Sequence, residues 1–150
     1  MVNPLKGIVI NIINLFHKPN ISNDILLKLL YFELFFKNGT IMLSIVYTVI
    51  SGGFDCGRLS FLLGRKNLMI SQFGNIGIEI NEDFRGKGIG IICIRYSINQ
   101  LITYFGSCIL TCSSNNVIIL SLLDKLNMHI CKTNVTKRFC VYEYRRSKTN

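Results

Sequence analysis

Arg85-Gly86-Lys87-Gly88-Ile89-Gly90 is the stretch of this chain best suited to chemistry. Three glycines alternate with two cations and an isoleucine, directly after the apolar run Ile76-Gly77-Ile78-Glu79-Ile80 and its short polar exit. Glycines let backbone amides approach an anion without a Cβ in the way. The first turn of a helix adds unpaired amides and the positive end of its dipole. Arg85 and Lys87 add full charges, so a pyrophosphate is the natural guest. A Walker A loop needs Gly-x-x-x-x-Gly-Lys-Ser/Thr, which this loop lacks. A dinucleotide fingerprint needs Gly-x-Gly-x-x-Gly soon after the first strand, whereas Gly86, Gly88 and Gly90 come late in the chain. A glycine-rich turn with no ligand is the competing reading of the loop alone.

A third phosphate motif fits. Arg85 to Gly90 resembles the Arg/Gln-x-x-Gly-x-Gly/Ala motif of the GNAT acyltransferase superfamily, and Ile80-Asn81-Glu82-Asp83-Phe84 is similar to that family's approach to it. Cys56-Gly57 followed by Phe61 resembles the family's entry to its third strand. Asn116 opens a segment similar to a later family helix, with Lys125-Leu126-Asn127-Met128 where Lys-Leu-Gly-Phe is usual. The matching features span roughly residues 41–128 in the expected order.

The resemblance implies an acetyl-CoA-dependent N-acetyltransferase acting on a primary amine in a ternary complex. By position, the amides of Gly86, Lys87, Gly88, Ile89 and Gly90 would hold the coenzyme pyrophosphate, with Arg85 nearby. The backbone of Ile80 would pair with the pantetheine arm, and Asn116 would face that arm or its thiol. The amine must lose a proton, and the departing thiolate is helped by an acid, often a Tyr. Counted from Asn116, the Tyr position holds Leu123, which donates no proton. That departure leaves a second expectation open, a catalytically inactive GNAT-fold binding or interaction protein. Glu79 is the carboxylate in the strand leading to the loop and the candidate base; an exposed position, or a pairing with Arg95 or Lys125, is the simpler expectation. Tyr142 and Tyr144 read as packing residues, His17 and His129 have no partner in sequence, and Cys112 reads as a core thiol.

These residues need a scaffold, and the chain divides into elements without linker, repeat or low-complexity break. Residues 7–13, short and β-branched, predict a first strand. Ser22 as N-cap and apolar residues at helical spacing to Phe36 predict a helix that Asn38-Gly39 stops. Residues 41–50, 55–63 and 68–81 predict three strands, the last long or interrupted. Ile91, Ile94, Ile98, Leu101 and Phe105 recur at steps of three and four and predict a helix over 89–104. Residues 108–112 predict a buried strand, 116–126 a helix and 138–146 a final strand. The expectation is one α/β domain over residues 1–150: a GNAT-like mixed, mostly antiparallel sheet with a central parallel splay and helices on both faces.

Composition sets the bounds. Apolar residues make up 49% of the 150 and charged residues 17%, enough for a sizeable core and against disorder. The formal net charge of +9 suits a phosphate-bearing cofactor. Nucleic acid is disfavoured as a partner, because the cations form no long run and no nucleic-acid-binding signature is present. The six cysteines contain no Cys-x-x-Cys pair, so buried thiols in a reducing, cytoplasmic setting are expected, with no disulfide frame and no metal site. The apolar stretches are too short or too interrupted for a membrane-spanning helix. A mean hydropathy of +0.39 points to an apolar interface, such as that of a homodimer.

Overall fold

The computed structural model describes residues 7, 10–14, 20–37, 39–64, 74–113, 115–125, 129–133 and 139–145, with backbone alone for 113 and 129–145. Three long strands come first: β1 (Ile25–Lys37), β2 (Thr40–Ser51) and β3 (Phe54–Gly64). Lys37 pairs with Thr40, so Asn38-Gly39 joins two paired strands, with Gly39 at φ 74. Ser51 pairs with Phe54 across Gly52-Gly53, whose φ values of 58 and 82 suit a two-residue hairpin loop between twisted strands. β4 (Ile76–Ile80) adds to β3, giving an antiparallel sheet in the order β1-β2-β3-β4.

A single 3-10 turn (Glu82–Phe84) leads through the glycine loop into α1 (Ile89–Phe105). Gly106, at φ 73, ends that helix by donating its N–H to the Ile102 carbonyl. β5 (Ser107–Ser113), α2 (Val117–Lys125), β6 (His129–Thr133) and β7 (Phe139–Arg145) follow, the strands forming an antiparallel sheet in the order β5-β7-β6. The two sheets meet at Asn75. Its N–H donates to the Ile109 carbonyl at 2.7 Å, and its side-chain oxygen accepts from the Ile109 N–H at 2.8 Å. Among the described residues the ladders within both sheets are antiparallel, and the expected parallel splay takes the form of this junction.

Alternate residues of β2 (Leu43, Ile45, Tyr47 and Val49) face the core with Leu59 and Phe61 of β3. α1 covers them with Ile89, Cys93, Ile94, Ile98 and Leu101, as its three-and-four spacing predicts. Leu122 and Leu123 of α2 and Cys108 and Leu110 of β5 complete the cluster. Tyr47 is fully buried, meets Phe61 edge to face and donates its hydroxyl to the Ile13 carbonyl at 3.4 Å.

Two elements differ from expectation. Residues 10–14 are helical, where a first strand is predicted. Residues 25–37 form β1, where a helix is predicted. The second reversal has a clear cause. The segment Ile-Leu-Leu-Lys-Leu-Leu-Tyr-Phe-Glu-Leu-Phe-Phe-Lys is apolar at nearly every position, so it satisfies both periods of 2 and 3.6. Pairing along its whole length with β2 decides in favour of the strand, and Asn-Gly acts as a hairpin signal instead of a helix stop. Of the strand predicted over 68–81, residues 68–73 lie outside the described residues, and 76–80 are β4. β6 has no counterpart in the sequence reading.

Among the described residues Cys56, Cys93 and Cys108 are free, buried thiols. Among the described residues no group of three His, Cys, Asp or Glu could hold a metal, and no helix is long and apolar enough to cross a membrane.

Gly57 has a φ of 151, and a Cβ there would collide with the Glu79 carbonyl oxygen of β4. Gly57→Ala is therefore expected to cost about 3 kcal/mol, read as a lowered urea midpoint. Burial pushes the Cys93 thiol, with Cys56 nearby, and the Cys108 thiol up to about 12, from an ordinary 9.0. Unfolded thiols ionise first, so their contribution is intact below about pH 9 and is lost as pH rises towards about 12. Denaturation across that window should show stability falling by up to about 1.4 kcal/mol per pH unit for each thiol. Cys93→Ala and Cys108→Ala should flatten the slope while lowering stability at neutral pH.

Candidate functional site

The end of β4 is fixed before the glycine loop begins. The Asn81 N–H donates to the Cys56 carbonyl at 2.8 Å, and its side-chain amide donates to the Asp55 carbonyl at 3.1 Å. Cys56 is therefore the hydrogen-bonded partner of Asn81. By strand alternation the backbone groups of Ile80 then point away from β3. The Ile80 carbonyl accepts a 2.9 Å bond from Arg85 Nε, which folds the loop's first cation back over the strand end. Phe84 packs against Phe54 at 6.4 Å between ring centroids, and Lys87 Nζ lies 5.0 Å over the Phe84 ring.

The loop then makes two left-handed steps, Gly86 at φ 74 and Gly88 at φ 80. A Cβ at either would meet nothing within 4 Å, so the need for glycine there is torsional and not steric. Gly88 is the N-cap of α1, and no side chain caps this end. Ile92 N–H is the helix's first donor to Gly88 O, at 3.1 Å, which leaves the amides of Ile89, Gly90 and Ile91 without intrahelical acceptors. The first turn carries no acidic residue.

These amides border a cleft of about 460 Å³ between the end of β4, the start of α1 and the start of α2. Its apolar wall comes from Ile78 and Ile80 of β4, Ile91 and Ile94 of α1, and Ile118 and Ile119 of α2. Of the residues singled out from sequence, Ile80, Arg85, Gly86, Gly88, Ile89, Gly90 and Asn116 line this one cleft. Lys87 instead lines an adjoining hollow of about 330 Å³ with Ser22, Asp24 and Ser51. Asn116 lies at the head of α2, where its side-chain oxygen accepts the Ile119 N–H at 3.3 Å as a helix cap.

Glu79 does not reach the cleft. It is exposed, whereas its neighbours Ile78 and Ile80 line the cavity, and alternation sends it to the opposite face. There it stands opposite Arg58 in the β3 register. Arg58 itself forms a 2.7 Å ion pair with Asp55. Leu123 is fully buried in the core, so the position where a Tyr is usual faces packed side chains and not the cleft. The side chains of Tyr142, Tyr144 and His129, and all of His17, lie outside the described residues.

Solved structures share this fold. Over 68% of this chain and 60% of its own, apo RimL, a ribosomal L7/L12 alpha-N-protein acetyltransferase, is similar at 14% identity and a TM-score of 0.51. A RimL structure in complex with coenzyme A is similar at 13% identity over 69% of this chain and 62% of its own, TM-score 0.51. A probable acetyltransferase gives 18% identity over 68% and 62%, TM-score 0.50. The chain has the GNAT fold. No family model matches it, and no curated protein sequence matches it. The chain spans about three-fifths of the length of these GNAT structures.

Within this GNAT fold the glycines of the loop are not equivalent. A Cβ at Gly90 would meet Ile80 Cγ1 at an ordinary 3.6 Å, and its φ is not left-handed. Gly90→Ala is expected to be neutral or to stabilise by up to about 1 kcal/mol through helix propensity. Gly88→Ala should cost about 1–2 kcal/mol through its left-handed φ. Thermal melts of the two variants beside wild type check the contrast.

Proposed function

We propose that this chain is an N-acetyltransferase that moves an acetyl group from acetyl-CoA to a primary amine by direct transfer. The observation that carries the reading is the uncapped, glycine-built start of α1 opening on an isoleucine-walled cleft. The residues present fit such a cofactor. The unpaired amides of Ile89, Gly90 and Ile91, beside Gly86, Gly88 and the guanidinium of Arg85, suit a pyrophosphate. Ile78, Ile91, Ile94 and Ile119 suit an extended arm of mixed polarity, and the outward backbone of Ile80 offers it a hydrogen-bonding edge. When bound, acetyl-CoA supplies the activated acetyl thioester. Lys87 adds positive charge from the far side of Phe84.

The chain's own contribution is binding, orientation and exclusion of water by the apolar wall. It is not side-chain acid catalysis at position 123: Leu123 is in the core. Glu79, on the opposite face, has no role as base in this reading, and proton transfer from the amine passes to water. The similar RimL structures are of an alpha-N-protein acetyltransferase, which makes a protein N-terminal amine the first acceptor to try. A lysine, a polyamine or an aminoglycoside follows, the net charge of +9 disfavouring the polycations.

The buried Leu123 supports a second reading, a GNAT-fold protein that binds without turnover. Calorimetric titration with acetyl-CoA, run beside Gly88→Asp, separates the readings. Wild type should bind, and the variant should lose at least about tenfold in affinity, because its carboxylate enters the anion site. Thiol release with an amine panel then marks an enzyme, and binding without release marks the inert protein. A folded wild type that does not bind removes the enzyme reading.

A further inference from the structure

β1 ends the first sheet, and no other strand pairs with its outer edge among the described residues apart from the bridge at Leu26. There Asn20 bridges Leu26 and the Ile21 N–H donates to the Ile25 carbonyl, so among the described residues it is the start of the edge that is covered. Beyond it the strand is exposed on both faces. Leu30, Tyr31, Phe32, Leu34 and Phe36 are 40–72% accessible. A long apolar edge with unpaired backbone groups is a template for another strand.

We propose that β1 pairs antiparallel with β1 of a second copy of this chain, across a two-fold axis beside the β-bulge, with Lys28 of each copy opposite Glu33 of the other. The backbone sets this register first. The Ile25 carbonyl points outward, since it accepts from Ile21, so by alternation Leu27 and Leu29 also offer their backbone groups to the edge. The register with β2 shifts between Leu29 and Tyr31, which pair with the adjacent Tyr47 and Val46. That extra residue inverts the alternation, so Phe32 and Leu34 offer theirs. The hydrogen-bonded pair Leu29–Phe32 then forms between the copies, twice, with Leu27 and Leu34 opposite one another at each end of the paired stretch. Without the bulge, residues whose numbers differ in parity could not face one another across such an axis.

The side chains agree with the backbone. Leu27 and Leu29 lie opposite Val49 and Tyr47, and Phe32 and Leu34 opposite Ile45 and Leu43, all on the core-facing side of β2. Lys28 and Glu33 lie opposite Thr48 and Ser44 on the other side. Apolar side chains therefore meet apolar ones, and each Lys28 meets a Glu33 in a non-hydrogen-bonded pair, where side chains stand closest. Both charges of the paired stretch 27–34 thus face their opposites. For a chain of net charge +9, this neutral, self-complementary strand is where two copies meet without repulsion. A rival register centred on Phe35 pairs Glu33 with Lys37 but leaves Lys28 and Leu29 outside.

Sedimentation of the full chain over micromolar concentrations tests the pairing. Wild type should be a concentration-dependent dimer. Lys28→Glu and Glu33→Lys change exposed side chains and should leave the melting temperature in place. Each should weaken the dimer about tenfold, since two symmetry-related pairs turn repulsive. The double exchange should restore it. A monomer at every concentration, open-ended aggregates, or a dimer indifferent to both exchanges would overturn the proposal. Sensitivity to Glu33→Lys alone would replace its register with the one centred on Phe35.

Discussion

Everything around the glycine loop depends on how closely β3 and β4 approach at Gly57. With no side chain there, the Glu79 carbonyl can lie against the β3 backbone, and Asn81 then reaches the Cys56 and Asp55 carbonyls. Those two bonds decide where β4 stops and which way Ile80 presents its backbone. The loop that follows has little freedom: Phe84 is held by Phe54, Arg85 by Ile80, and the left-handed glycines deliver the chain to α1. An anion site made of backbone amides must be rigid, because each amide contributes only while it points at the same spot. The rigidity comes from β3, far from the glycines in sequence.

The cleft shows how a core and a site share residues. Ile89 and Ile94 are buried in the core and also line the cleft, and Ile80 packs against the core from β4. The helix that presents its amides is thus held by the same apolar stripe that anchors it to the sheet. The junction at Asn75 holds the second sheet against the first. It also sets the direction in which α2 brings Asn116 and Ile119 to the opposite wall. The usual acid position, Leu123, went the other way, into the core, where a hydroxyl would need a buried partner.

β1 stands apart from this economy. It contributes Ile25 and Leu27 to the core at one end, then runs on as an edge with large side chains on both faces. A bulge separates the two parts. Its inner half serves the domain, and its outer half makes physical sense as a surface that another strand covers.

The loop, α1, β2, β3, β5, α2 and β7 were legible in the sequence, because each has a period, a cap or a glycine pair that admits one local structure. Glycines at 86, 88 and 90 after an apolar strand predict a turn into a helix with open amides without any knowledge of the fold. Position in the wall of the cleft was not legible: Ile91 and Ile94 read as buried stripe, and nothing marked Asn81 or Phe84 as anchors. Residues 25–37 could not be assigned from sequence, since an all-apolar segment fits strand and helix alike and only pairing with β2 chooses. The side to which Glu79 points was equally a tertiary matter, set by the hydrogen-bonding phase of β4 against β3. Local sequence determined where amides could gather. Long-range strand pairing decided which side chains face them.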